Sequence, residues 1–226
     1  MTIYKVKEIY YTIQGEGRHA GRPMVFCRFA GCNLWNGREK DRLNAVCKFC
    51  DTDFIGTDGE NGGKYSASEL SQKIISLWPQ DSPEQVAVVC TGGEPLLQMD
   101  DELVQYMHKA GIYIAIESNG TIKAPKGIDW ICVSPKGDAT LNQISGDELK
   151  LVYPQIENTP NDFQELDFKH FYIQPLDDPQ WVENTKSSIE FVKNNPKWKL
   201  STQTHKYLNI PWYFRILIIQ SLFPHF

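Results

Sequence analysis

Three cysteines, Cys32, Cys47 and Cys50, form the pattern C-x14-C-x2-C in a stretch that also carries Gly31, Asn33, Gly37 and a run of charges from Arg38 to Arg42. Such a stretch reads as a loop, and a loop can wrap thiolates around a metal. Zinc is the commoner tenant of a C-x2-C pair, but it normally closes its shell with four ligands. Here no fourth Cys or His is near, and the closest histidine, His19, precedes a strand. An iron-sulfur cube with one open iron fits the deficit: three thiolates hold three corners, and the fourth iron can bind a substrate or cofactor through nitrogen and oxygen. At this level a zinc loop stays open beside it. The remaining cysteines, Cys27, Cys90 and Cys132, lie inside apolar runs such as Val25-Phe26-Cys27 and Trp130-Ile131-Cys132. They read as small core hydrophobes.

The chain that must position these thiols has 226 residues, with 28 acidic and 23 basic side chains and a formal charge of -5. No Lys/Arg run is dense enough to attract nucleic acid, so a small molecule is the expected partner. Met1 to Thr12 lacks a signal-peptide core. The longest apolar stretch, Trp212 to Phe223, is interrupted by Arg215 and Gln220 and is too short to cross a bilayer. These features predict a cytoplasmic protein without a membrane partner, built as one domain over 1–211 with an apolar C-terminal extension over 212–226.

Beyond the cysteine loop, short apolar runs alternate with helical patterns, as in parallel β/α units. A capping box, Ser66-x-x-Glu69, opens a helix with Ala67, Leu70, Ile74 and Leu77 on its apolar face. Asp100 caps a second with Leu103, Met107 and Ala110 inward and Gly111 as its stop. A third runs from about Trp181 to Asn194, ended by Pro196. Strands are predicted at Val86–Cys90, Tyr113–Glu117, Trp130–Val133, Leu149–Tyr153, His170–Gln174 and Lys199–Gln203. The connections between Gly120 and Trp130 and between Val133 and Leu149 are too short or too rich in Gly and Pro for full helices. A complete eight-unit barrel takes about 250 residues. The fold expected is therefore α/β, an incomplete parallel (β/α) barrel with fewer helices than strands and an N-terminal loop for the cluster.

Nearly every unusual polar cluster falls just past a predicted strand end, and in such barrels those ends share one mouth. Thr91-Gly92-Gly93-Glu94-Pro95, Ser118-Asn119-Gly120 with Glu117 at the strand tip, Ser134-Pro135-Lys136 and Gln174-Pro175-Leu176-Asp177 all occupy that position. Singly, each is an ordinary turn sequence. The paired glycines are expected to let a ligand approach the backbone, with Glu94 as an acceptor for an ammonium or hydroxyl.

The Gly-Gly-Glu-Pro segment resembles the motif with which radical S-adenosylmethionine enzymes contact the methionine amino group. The usual cysteine spacing of that superfamily is C-x3-C-x2-C, and the gap of fourteen here points to a narrower group. Ile13-Gln14-Gly15-Glu16-Gly17, Phe26-Cys27-Arg28-Phe29, the cysteines followed by Asp51-Thr52, Ser134-Pro135-Lys136 and Gln174-Pro175-Leu176-Asp177 together resemble the 7-carboxy-7-deazaguanine synthase family, from about Tyr4 to Pro211. The resemblance implies a lyase of queuosine biosynthesis that converts 6-carboxy-5,6,7,8-tetrahydropterin to 7-carboxy-7-deazaguanine with loss of ammonia. By the same resemblance Cys32, Cys47 and Cys50 hold a [4Fe-4S] cluster. S-adenosyl-L-methionine is expected against Phe49, Cys50, Asp51, Gly93, Ser134, Pro135, Lys136, Gln174, Pro175, Leu176 and Asp177. The pterin is expected to meet Ile13, Gln14, Gly15, Arg28, Thr91 and Pro211, with Glu117 and His205 as catalytic partners. Magnesium falls to Thr52, with Asp51 and Asp53 as rival ligands.

A homodimer is also implied. Iron-sulfur potentials reach down to about -700 mV, and the chain has no flavin or nicotinamide fingerprint, so a flavodoxin- or ferredoxin-type electron donor is expected. The alternatives are a radical activase acting on a partner protein and a zinc-stabilised binding module.

Overall fold

The computed structural model describes residues 2–210. The expectations for Pro211 and for the extension over 212–226 lie outside the described residues. Strands β1 (Tyr4–Ile13), β2 (Pro23–Phe29) and β3 (Gly63–Tyr65) begin the fold. Helix α1 (Ala67–Leu77), β4 (Ala87–Gly92), α2 (Asp101–Lys109), β5 (Tyr113–Ser118) and β6 (Trp130–Val133) follow. The chain continues through β7 (Ser145–Tyr153), β8 (Asp167–Pro175), α3 (Trp181–Asn194), β9 (Trp198–Leu200) and α4 (Thr204–Leu208). All nine strands form one sheet in the order β3-β1-β2-β4-β5-β6-β7-β8-β9. From β2 to β9 every pairing is parallel, while β1 runs antiparallel to both of its neighbours.

The sheet does not close, and three crossovers lack an α-helix, those from β5 to β6, β6 to β7 and β7 to β8. The first two match the expectation; the third, spanned only by a short 3-10 turn at Pro160–Asp162, escaped it. Both helix caps form as read: Ser66 and Glu69 exchange hydrogen bonds at the start of α1, and the Asp100 carboxylate accepts from the Leu103 amide at 3.0 Å. Strands β7 and β8 start three or four residues earlier than the apolar runs suggested, because their first turns pair through polar residues such as Ser145 and Asp167. The last strand is shorter than expected, ending at Leu200 where the chain turns into the barrel mouth.

Alternation sorts the side chains onto two faces. Outward lie Val25, Cys27, Val88, Cys90, Ile114 and Ile116, packed under Leu70, Ile74, Leu103 and Met107 of α1 and α2. A second apolar cluster joins Leu149, Leu151 and Ile173 to Phe171 and Trp198. Cys27 and Cys90 therefore sit where expected. Cys132 does not: its register partners are Glu117 and Glu148, and its thiol hydrogen-bonds the Glu148 carboxylate inside the barrel. Among the described residues no helix is long and apolar enough to cross a membrane.

Candidate functional site

The C-terminal ends of the parallel strands surround a cavity of about 160 Å³ that opens to solvent. Its rim is the cysteine loop, from which Cys32, Cys47, Phe49, Cys50, Asp51 and Thr52 all line the opening. The strand ends supply Gly93, Ser134, Lys136, Gln174, Pro175, Leu176 and Asp177 to the wall, and Arg28, Thr91 and Glu117 lie deeper. Pro135, Ile13, Gln14, Gly15 and His205 do not border this cavity. Ile13 is 39% exposed at the end of β1, and Gln14 lines a smaller recess on the far side of Glu117. Gly15 packs so closely on the His205 ring that a Cβ would lie 2.3 Å from Nδ1.

Each thiol sits in a different environment. Cys32 Sγ accepts the Leu34 amide at 3.4 Å, and burial pushes its pKa up. Cys47 and Cys50 hydrogen-bond one another, which lowers Cys50 to about 7 and raises Cys47. A tetrahedral zinc site with Zn–S near 2.3 Å brings its sulfurs within about 3.8 Å of each other. Among the described residues no three Cys, His, Asp or Glu side chains gather into a single-ion shell. His19, the nearest histidine in sequence, packs on Trp130 and Tyr113 at the opposite end of the strands, where burial and Arg22 lower its pKa to about 4. Three soft donors on one cavity wall, without a fourth, fit a cluster that leaves one corner open.

Gly92 and Gly93 line the cavity, and their missing side chains have a second use. A Cβ on Gly92, whose φ is +129°, would meet the Phe29 carbonyl oxygen at 2.3 Å, and one on Gly93 would meet that of Gly31 at 2.1 Å. The absent side chains let this turn cross the backbone leading into Cys32. Glu94 is turned away from the cavity: fully buried, it accepts from the Leu96 amide at 3.0 Å, the Ser118 hydroxyl at 2.9 Å and the Asn119 amide at 2.7 Å. It ties the β4 turn to the end of β5, and its burial raises its pKa.

The floor of the cavity is a charged layer. Lys150 Nζ, 4% exposed, donates to Glu16 at 2.6 Å and to Glu117 at 3.1 Å. Burial works against the ammonium, but the two carboxylates outweigh it and hold its pKa well above the ordinary value. Glu16, opposed by the same burial, is carried down to about 2 by Lys150. Glu117 also accepts from Gln14 Nε2 at 3.2 Å and Thr91 Oγ1 at 3.4 Å. Beside this layer Arg28 Nε engages Glu8 at 2.7 Å and its Nη2 engages Tyr10. Glu8, Glu16, Lys150 and Gln203 were not anticipated. For Lys150 the signal was the alternation itself, as in Glu148-Leu149-Lys150-Leu151-Val152, whereas Glu16 and Gln203 lie in the connections past β1 and β9. In a barrel the polar side of such a strand can face the enclosed site rather than solvent.

The chain's last described turn stitches the mouth to the first strand connection. Thr204 donates its amide and hydroxyl to the Gly15 carbonyl, Gln203 reaches Glu16, and the Ser201 hydroxyl accepts the Gly17 amide. Lys206 spans the opening from Asp51 to Asp177. Asp53 faces away from the opening and pairs with the buried Lys7 at 2.9 Å.

No protein-family model matches the chain. It is 59% identical over 209 residues to the 7-carboxy-7-deazaguanine synthase of Burkholderia multivorans, covering 92% of this chain and 99% of that protein. The Caulobacter vibrioides protein of the same name is 56% identical with the same coverage. The chain belongs to the 7-carboxy-7-deazaguanine synthase family. The structure of QueE from Escherichia coli superposes with a TM-score of 0.65 over 88% of this chain and 93% of that one, at 23% identity, and so shares the fold of this family member. The open sheet and the cysteine-bearing mouth are thus those of a 7-carboxy-7-deazaguanine synthase family protein.

Proposed function

We propose that the chain converts 6-carboxy-5,6,7,8-tetrahydropterin to 7-carboxy-7-deazaguanine with release of ammonia, as a radical S-adenosylmethionine lyase of queuosine biosynthesis. The observation that carries this reading is the convergence of Cys32, Cys47 and Cys50 with a buried, charged floor around one cavity. Cys32, Cys47 and Cys50 would hold a [4Fe-4S] cluster, which together with S-adenosylmethionine would supply the one-electron chemistry that generates a radical able to take a substrate hydrogen.

The chain's own residues hold and insulate the reactants. Phe49, Ser134, Lys136, Gln174 and Asp177 form the wall suited to an amino-acid and nucleoside ligand, with the Lys136 ammonium 5.5 Å above the Phe49 ring. Below them, Glu117 offers carboxylate oxygens to the N–H edge of a pterin, held in place by Lys150, Gln14 and Thr91. Arg28 brings a forked cation suited to the substrate carboxylate. Thr52 is the proposed magnesium ligand, a hydroxyl suited to a hard cation that keeps water and substrate oxygens. Asp51, though paired with Lys206, lines the cavity and is the rival carboxylate kept, whereas Asp53 pairs with Lys7 away from it. The electron is assigned to a flavodoxin- or ferredoxin-type protein, and the chain to the cytoplasm as a homodimer.

Anaerobic reconstitution with iron and sulfide, followed by visible absorption and product analysis with the carboxypterin and S-adenosylmethionine, tests the reading. A brown protein forming 7-carboxy-7-deazaguanine supports it. A colourless zinc protein, or one that turns over no free pterin, overturns it.

A further inference from the structure

The fourteen residues between Cys32 and Cys47 fold into a small unit of their own. The Val46 and Cys47 amides both donate to the Leu34 carbonyl, at 3.1 and 3.3 Å, bringing the two ends of the insertion together. Between them a 3-10 turn over Glu39–Asn44 presents Arg42. Its guanidinium lies 4.0 Å from the centre of the Trp35 ring, and Trp35 is itself buried edge-on against Phe54. Arg42 Nε is held by both oxygens of Glu39, at 2.8 and 2.9 Å. The remaining fork points at the cysteine turn: Nη1 donates to the carbonyls of Lys48 at 3.1 Å and Cys50 at 3.0 Å. No other side chain among the described residues is shown bonding both carbonyls of that turn.

We propose that Arg42 is the positioning residue of the cluster-binding turn, fixing the Cys47–Cys50 backbone through its fork and easing reduction of the cluster through its charge. The inference rests on the cluster assigned above. A planar fork stacked on an indole is preorganised, so it fixes two carbonyls at little entropic cost. Each charge-assisted bond is stronger than a neutral one, and their loss frees the turn. The positive charge lies beside Cys47 and Cys50, the thiols that carry the negative charge of the group. Adding an electron makes that group more negative, so a nearby cation favours the reduced state.

The test compares the reconstituted full chain with Arg42→Gln and Arg42→Lys, measuring the reduction potential and the rate of iron loss to a chelator. For Arg42→Gln the expected results are a potential lower by about tenfold in the reduction equilibrium, about 59 mV for one electron, and iron loss about tenfold faster. Arg42→Lys is expected to restore the potential but not the resistance to chelator, because it keeps the charge and loses the fork. Should Arg42→Gln bind no iron, Arg42→Lys and hydrogen exchange at the Cys47–Cys50 amides of the iron-free chains decide, with faster exchange expected in both variants. The proposal is overturned if Arg42→Gln stays within about twofold of the unmodified chain in both measurements, or if Arg42→Lys protects iron and backbone as well as arginine does. An unmodified chain that takes up no cluster overturns the function proposed above, and this inference with it.

Discussion

The two faces of the same strands answer to different physics. On the outer face Cys27, Cys90, Ile114 and Ile116 meet the apolar sides of α1 and α2, and what matters there is volume. On the inner face Arg28, Thr91, Glu117, Lys150 and Gln174 are nearly as dry, yet each is defined by its charge or hydrogen bonds. One residue along the backbone separates Cys90, a core atom filler, from Thr91, a donor to Glu117. Stability is concentrated on one side of the sheet and chemistry on the other, so substitutions on the two sides should be separable in their readouts.

The sharpest contrast is between cysteines. Changing Cys32, Cys47 or Cys50 to Ala is expected to abolish cluster binding and turnover, whereas Cys27→Ala and Cys90→Ala keep full iron. Iron counting after reconstitution checks this, and full iron in the Cys47 variant would break the division. Next in size is Lys150→Met, which strands Glu16 and Glu117 as unpaired buried carboxylates; a loss of about 3–5 kcal/mol is expected, together with loss of turnover, read by denaturant unfolding and product assay. On the outer face, Met107→Ala should lose about 2–5 kcal/mol through the cavity it leaves, with catalytic rate within about twofold of the unmodified chain. A large change in rate there would show that the faces are coupled.

The smallest expected effect is at the far end of the strands, where His19 sits among Trp130 and Tyr113 with its pKa lowered to about 4 by burial and by Arg22. A depressed histidine favours folding while neutral, so its contribution is full above the unfolded value of about 6.5 and is lost as pH falls through 4. Discounted for partial exposure, this amounts to about 1–2 kcal/mol. His19→Phe should flatten the stability profile between those pH values, and an unchanged slope would refute the assignment.

The same contrast explains what could be read in advance. The rim was legible because thiol spacing and turn residues are local signals, and four polar turns at successive strand ends needed only parallel topology to bring them together. The floor was less so: Lys150 and Glu8 are charged residues on strands, where they ordinarily mean solvent, and Glu16 sits in the bend just past β1. Only the curvature of the sheet, set by residues far apart in sequence, turns that side inward. Glu94 was expected to face a ligand and instead ties two turns together, and the close passage of the glycine pair over the Gly31 backbone depends on packing that no local motif encodes. His205, expected as a catalytic partner, is 3% exposed where α4 folds it onto Gly15.

The seam that joins Thr204 to Gly15 and Ser201 to Gly17 links residues separated by 189 and 184 positions. Nearly the whole described chain is thus a single loop closed by a handful of exchangeable hydrogen bonds. Closure entropy rises only with the logarithm of loop length, so a seam this distant costs little more to close than a much shorter one. During synthesis every residue lining the cavity except Gln203 emerges before the segment that draws its edges together.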